Sequence, residues 1–228
     1  MAIRRRWRRL AATIAVTALL VAGVVVALNR ILLDHECTVT VGDDEVSFST
    51  EQAELLSAGK LADLSEEDEA LVQRALSGRA RYALSCRHGG ADDEEHDALN
   101  DRGLTGRADV VRRDLGDRFG RLALGGYAPG GVSTGHKEGS AHYEGRAIDV
   151  FFRPINPANL RRGWAVAHYL VANAERLSID TVIYNGKIWT ARRSFQGWRD
   201  YEIDTKGRPA GVRKVLLHHD HVHVDVAD

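Results

Sequence analysis

The stretch that most constrains this chain is LAATIAVTALLVAGVVVAL, Leu10 to Leu28, which carries no charge over 19 residues. A helix needs about 20 apolar residues to cross the hydrocarbon core of a membrane. IRRRWRR precedes the run, and basic residues stay on the cytoplasmic side. The reading is a cytoplasmic basic segment over 1–9, a transmembrane anchor over 10–33, and a remainder on the outer side of the plasma membrane. A cleavable signal peptide has a shorter apolar region and a small-residue cleavage site. The run here ends in ALNRILL without an A-x-A pattern, which favours a single-pass anchor that is kept; cleavage would instead give a secreted protein.

Composition narrows the rest. With 44% hydrophobic and 28% charged residues, the chain can bury a core and reads as globular rather than disordered. Lys and Arg number 31 against 32 Asp and Glu, so no sequence-wide attraction to nucleic acid is implied. Nothing in the sequence sets an oligomeric state.

Two cysteines suit an oxidising exterior, where a Cys37–Cys86 disulfide is the expected outcome, with Cys86 closing a helix. It would staple a small module over 34–87. Within it, CTVTVGDDEVSF alternates as two strands around a Gly-Asp turn. STEQAELL starts a helix with Ser49 and Gln52 at capping-box spacing, and SEEDEALVQRALSGRARYAL reads as a second helix capped by Ser65. Residues 88–103 are acidic and poor in large apolar side chains, and are expected as an exposed linker with His88 and His96 in solvent.

A second domain is expected over 104–228. ADVVRRDLGDRFGRLAL has helical periodicity through Val110, Val111, Leu115 and Phe119. Asn156 and Pro157 open another helix, whose Trp164, Val166, Tyr169 and Leu170 read as core and whose His168 reads as structural. DTVIYNGKIWTA has the Asn-Gly pair of a type I′ hairpin. KVLLHHDHVHVDV reads as a closing strand. Strands and helices mix without a regular βαβ rhythm, so the expected class is α+β, with a mainly antiparallel sheet and flanking helices.

The closing strand carries the chemistry. Alternation puts His219, His221, His223 and Asp225 on one face and His218, Asp220, Val222 and Val224 on the other. Imidazoles beside a valine core need hydrogen bonds, water or a metal, so a metal site and a polar edge strand both remain open. A second cluster, GHKEGSAHYEGRAIDVFF, supplies His136, His142 and Asp149 in a loop whose Gly139 and Gly145 permit tight turns. An aspartate entering an apolar strand wants a cation. A His, His and Asp ligand set with one open position is a catalytic rather than a closed zinc site.

Ser140-x-His142-x-x-Gly145-x-Ala147-x-Asp149, followed by His221-x-His223, resembles the zinc peptidases of the D-Ala-D-Ala carboxypeptidase and dipeptidase family. These are grouped with lysostaphin-type enzymes, murein endopeptidase A and the Hedgehog signalling domain. The resemblance covers roughly the last 125 residues. It implies zinc held by His142, Asp149 and His223, with His221 beside the reacting water and Asp220 as its rival for the proton. His218-x-x-His221-x-His223 is also similar to the endopeptidase histidine spacing. Ser140 and His218 are expected to support the site. Many members carry an arginine in a Ser-Gly-Tyr-Arg loop that holds substrate; here the similar stretch is Gly126-Tyr127-Ala128, so Lys137 or Arg146 is the candidate substitute. Tyr184 and Trp189 are candidates to line a peptide groove. The implied function is a membrane-anchored zinc metallopeptidase, carboxypeptidase or endopeptidase, cutting peptidoglycan stem peptides. The alternatives are an inactive domain of the same fold that binds wall peptide or a protein partner, and a purely structural zinc.

Overall fold

Two antiparallel sheets organise residues 37–88 and 98–227, the part of the chain that the computed structural model describes. The expected anchor over 10–33, the basic segment before it and His96 lie outside those residues. Among the described residues no helix is long and apolar enough to cross a membrane.

The smaller sheet has the order β2-β1-β3, with β1 at Cys37–Val41, β2 at Asp44–Phe48 and β3 at Leu84–Cys86. Cys37 stands directly opposite Cys86, and the two form the expected disulfide. Helix α1 (Thr50–Ser57) begins with the capping box, in which the Ser49 hydroxyl accepts from Gln52 N and the Gln52 side chain accepts from Ser49 N. Helix α2 (Glu66–Leu76) is capped by Ser65, with four acids in its first turn, where the helix dipole favours them.

The helix expected over 65–84 stops at Leu76, and Cys86 lies in a strand rather than at a helix end. The reason is tertiary. Gly78 sits at φ +68°, and a Cβ there would lie 1.9 Å from the Arg161 carbonyl oxygen, so the chain turns against the neighbouring helix instead of continuing.

The larger sheet has the order β4-β5-β9-β6-β7-β8. Its strands are β4 (Ala123–Gly125), β5 (Ala147–Phe151), β6 (Ile179–Tyr184), β7 (Lys187–Thr190), β8 (Arg199–Asp200) and β9 (His221–Val226). β6 and β7 form the expected hairpin, with Asn185 and Gly186 both at positive φ. Helix α3 (Gly106–Phe119) buries Ala108, Val111 and Leu115 and leaves Val110 outside.

Helix α4 (Pro157–Ala172), capped by Asn156 with Pro157 in its first turn, is the central element. It packs against β6 on one side and against α1, α2 and β3 on the other, so residues from both sheets share one core. The seams are specific. His168 Nδ1 donates to Ala75 O at 2.7 Å, Asn173 donates to Ser57 Oγ, and Trp198 Nε1 donates to Leu84 O. Trp164, Leu170, Val182 and Val222 are fully buried, each such side chain contributing roughly 1.5–3 kcal/mol.

The closing strand is shorter than expected. Lys214 to Leu216 belong to helix α5 (Ala210–Leu216), and β9 begins only at His221. His218, at φ +55°, lies in the turn between them.

Candidate metal centre

β5 and β9 are central neighbours, and their register aligns Asp149 with His223, Phe151 with His221 and Ala147 with Asp225. Strand alternation sends Ile148, Val150, Val222 and Val224 into the core, so Asp149, His221, His223 and Asp225 share the opposite face. His142 arrives from a short 3-10 helix, Ala141–Glu144, which Ser140 caps by accepting from His142 N and Gly145 ends in a left-handed conformation.

These elements bring three ligand atoms together. His142 Nε2 lies 3.1 Å from His223 Nδ1 and 3.4 Å from Asp149 Oδ1, and His223 Nδ1 lies 3.1 Å from the same oxygen. All three residues are buried, and together they could hold a metal ion. The spacing fits a small tetrahedral cation: ligand bonds of about 2.0–2.1 Å place neighbouring ligand atoms about 3.3 Å apart.

Each ligand is oriented from behind. His142 Nδ1 donates to Gly126 O at 2.7 Å, which leaves the Nε2 lone pair facing the cluster. Gly126 must lack a side chain, because at φ +82° a Cβ would lie 2.3 Å from His142 Cε1. His223 turns Nδ1 inward and has Nε2 2.7 Å from Asp225 Oδ1. The His142 ring is stacked under His136, with centroids 3.9 Å apart.

Burial alone would raise the pKa of Asp149, but hydrogen bonds from His142 and His223 and the charges of His223 and His221 outweigh it. Its carboxyl is held well below the usual carboxylate range. Burial pulls His223 down, yet the Asp225 charge and the bonds to Asp149 and Asp225 prevail and push it up to about 10. A metal taken up here therefore displaces a proton.

His221 stands beside the cluster, with Nε2 3.7 Å from Asp149 Oδ1. Its Nδ1 donates to Asp220 Oδ1 at 2.8 Å, and the other Asp220 oxygen accepts from Arg153 Nε at 2.7 Å. Burial opposes ionisation of Asp220, but these bonds from His221 and Arg153 hold its pKa down. His218 comes to the same side, its ring 4.5 Å from that of His221, and burial followed by the His221 and His223 charges lowers it to about 3. It is a neutral imidazole whose Nδ1 donates to Leu216 O. His219 turns away and donates to Asn185. The face assignment expected for His218 and His219 is thus reversed, because neither lies in the strand.

The cluster opens into a cleft of about 490 Å³, a size that suits a small ligand or a few peptide residues. Ser140, Lys137 and His136 line it, as do Arg153, Phe151 and Tyr201. Three expectations are corrected. Tyr184 and Trp189 are fully buried and line no groove: Tyr184 packs over Gly163, and Trp189 Nε1 donates to Cys86 O. Arg146 lies off the cleft, bound to Glu144 and to Val226 O.

Arg153, Asp225 and Gly126 carry roles that the sequence reading did not assign. Arg153 continues the alternation of Asp149 and Phe151 past the end of β5, and Asp225 was already on the ligand face, so both were accessible from strand periodicity. The Gly126 carbonyl was not.

A family model described as VldE, C-terminal domain, matches residues 100–210, a little under half of the chain. That stretch holds His142, Asp149 and Arg153 and ends before His221 and His223. No curated protein matches the chain, and no solved structure does.

Proposed function

We propose that this chain is a zinc-dependent peptidase acting on peptidoglycan stem peptides at the outer face of the membrane. The observation that carries the reading is the convergence of the His142, Asp149 and His223 ligand atoms at 3.1–3.4 Å beside an open cleft. Two histidines and one carboxylate, with no cysteine in the set, suit zinc in a catalytic role. Bound zinc would polarise a substrate carbonyl and lower the pKa of water to about 7.

The protein's own groups then handle the proton. His221 presents Nε2 to the cluster, because its Nδ1 proton is committed to Asp220. Nε2 takes a proton from the attacking water and returns it to the departing amine as the peptide C–N bond breaks. Asp220 is the weaker candidate for that role. It is 4% exposed, and His221 and Arg153 occupy its two oxygens, so it orients His221 rather than meeting substrate.

The test is zinc content by elemental analysis together with product release from purified muropeptides. Wild type should carry about one zinc per chain and release product, and His221→Ala should keep the zinc while turnover falls about 10²- to 10⁴-fold. A zinc-loaded wild type that cleaves no muropeptide sinks the enzyme. One observation favours the second reading, a binding domain of the same fold: Ala128 stands where the resembling peptidases carry their substrate-holding arginine. That reading expects zinc and measurable muropeptide affinity without turnover.

A further inference from the structure

The charged groups of the cleft wall are few. Of its lining carboxylates, Asp149 and Asp225 are committed to the histidines, which leaves Glu138. Its lining cations outside the histidines are Lys137 and Arg153. The segment that supplies the wall residues Val215, Leu216 and His218 contains no acid from Thr205 to His219. It carries Lys206, Arg208, Arg213 and Lys214, all exposed. The adjoining wall residues Tyr201 and Ile203 come from a stretch that carries Glu202 and Asp204, also exposed, so the rim bears both signs of charge.

Arg153 is braced as a receptor for a planar anion. Its Nε and Nη2 both reach Asp220 Oδ2 at 2.7 Å, and its guanidinium carbon lies 4.4 Å from the centroid of the Phe151 ring. The plane of the fork is therefore set, yet 57% of the side chain remains exposed in the cleft. Asp220 uses one edge of the guanidinium, which leaves the Nη1 hydrogens without a partner among the described residues. An arginine held this way needs little further ordering to accept a carboxylate. Ile183, Ile203 and Leu216 are the apolar neighbours that small aliphatic side chains would meet.

We propose that Arg153 is the anion-binding residue of this cleft, receiving a carboxylate of a short apolar peptide. The choice of a peptide as the occupant rests on the peptidase reading. The residue itself follows from the geometry, and it takes the place that the sequence offered to Lys137 or Arg146.

The experiment uses two twin probes, N-acetyl-D-alanyl-D-alanine and its C-terminal amide. They are titrated calorimetrically into the zinc-loaded full chain, in a His221→Ala background that holds turnover down. With Arg153 present, the acid should bind at least about tenfold more tightly than the amide, as a charge-assisted pair requires. Arg153→Gln should bring that ratio close to one by weakening the acid alone, and Arg153→Lys should restore part of it. Loss of an arginine that only braces Asp220 would shift both twins together. Equal affinity for the twins, failure to bind the acid, or a ratio that survives in Arg153→Gln overturns the proposal. Selective binding of the acid by a wild-type protein that cleaves neither probe nor any muropeptide sinks the peptidase reading and leaves the anion site standing.

Discussion

Cys37 faces Cys86 across β1 and β3, and Asp149 faces His223 across β5 and β9. Both are register-matched pairs on adjacent antiparallel strands, both are buried, and both bring together residues far apart in sequence. They differ in what completes them. The cysteines close on each other and need nothing further. The carboxylate and the imidazole cannot: with His142 added, their lone pairs converge on a point that only protons or a cation can satisfy. The same backbone device yields a self-contained staple in one sheet and a site that takes something from outside in the other.

The strongest way to break the comparison is to remove one member of each pair. Asp149→Ala and His223→Ala should each lose the bound metal altogether, read as zinc per chain after dialysis. Cys37→Ala with Cys86→Ala should keep it. If both kinds of variant lose metal to the same extent, the two regions are not independent and the staple is part of the site.

The cysteine pair has its own expected cost. Closing a loop with a sequence separation of 49 restricts the unfolded chain, a stabilisation of about 4 kcal/mol. Reduction should therefore lower the unfolding midpoint without changing zinc stoichiometry. A smaller effect sharpens the contrast between kinds of buried histidine. His168 is fully buried, and desolvation pulls it down to about 4 despite its bond to Ala75 O. Its folded pKa lies below its unfolded value of 6.5, so its contribution is present above pH 6.5 and lost as pH falls toward 4. The loss is on the order of 3 kcal/mol. Denaturant titrations at pH 7 and pH 4.5 should show it in wild type and not in His168→Gln, which keeps an N–H for Ala75.

Much of the site could be read before the fold was known. The resemblance implied His142, Asp149 and His223 as a ligand set, and these three do converge as a group that could hold a metal ion; alternation along HVHVDV correctly put His221, His223 and Asp225 together. The pattern failed where it was extended beyond the strand. His218 and His219 were assigned faces by a periodicity that ends at His221, because a helix and a turn occupy the residues before it. Tyr184 and Trp189 look the same in sequence whether they line a groove or fill a core. Their fate was set by Gly163, which opens room on α4 for the Tyr184 ring, and by the Cys86 carbonyl that receives the Trp189 indole.

By itself, then, the sequence determined the local features: the caps at Ser49, Ser65 and Asn156, the Asn185-Gly186 turn, the strand periods and the ligand types. These depend on neighbours within a few residues, where backbone geometry and side-chain hydrogen bonds suffice. Only the tertiary structure decided that Gly126 O would fix the His142 ring, that Asp220 would meet Arg153, and that Gly78 would end a helix against Arg161. Each of those contacts joins residues on separate elements. No local period encodes it, and it forms only when the shared core brings those elements together.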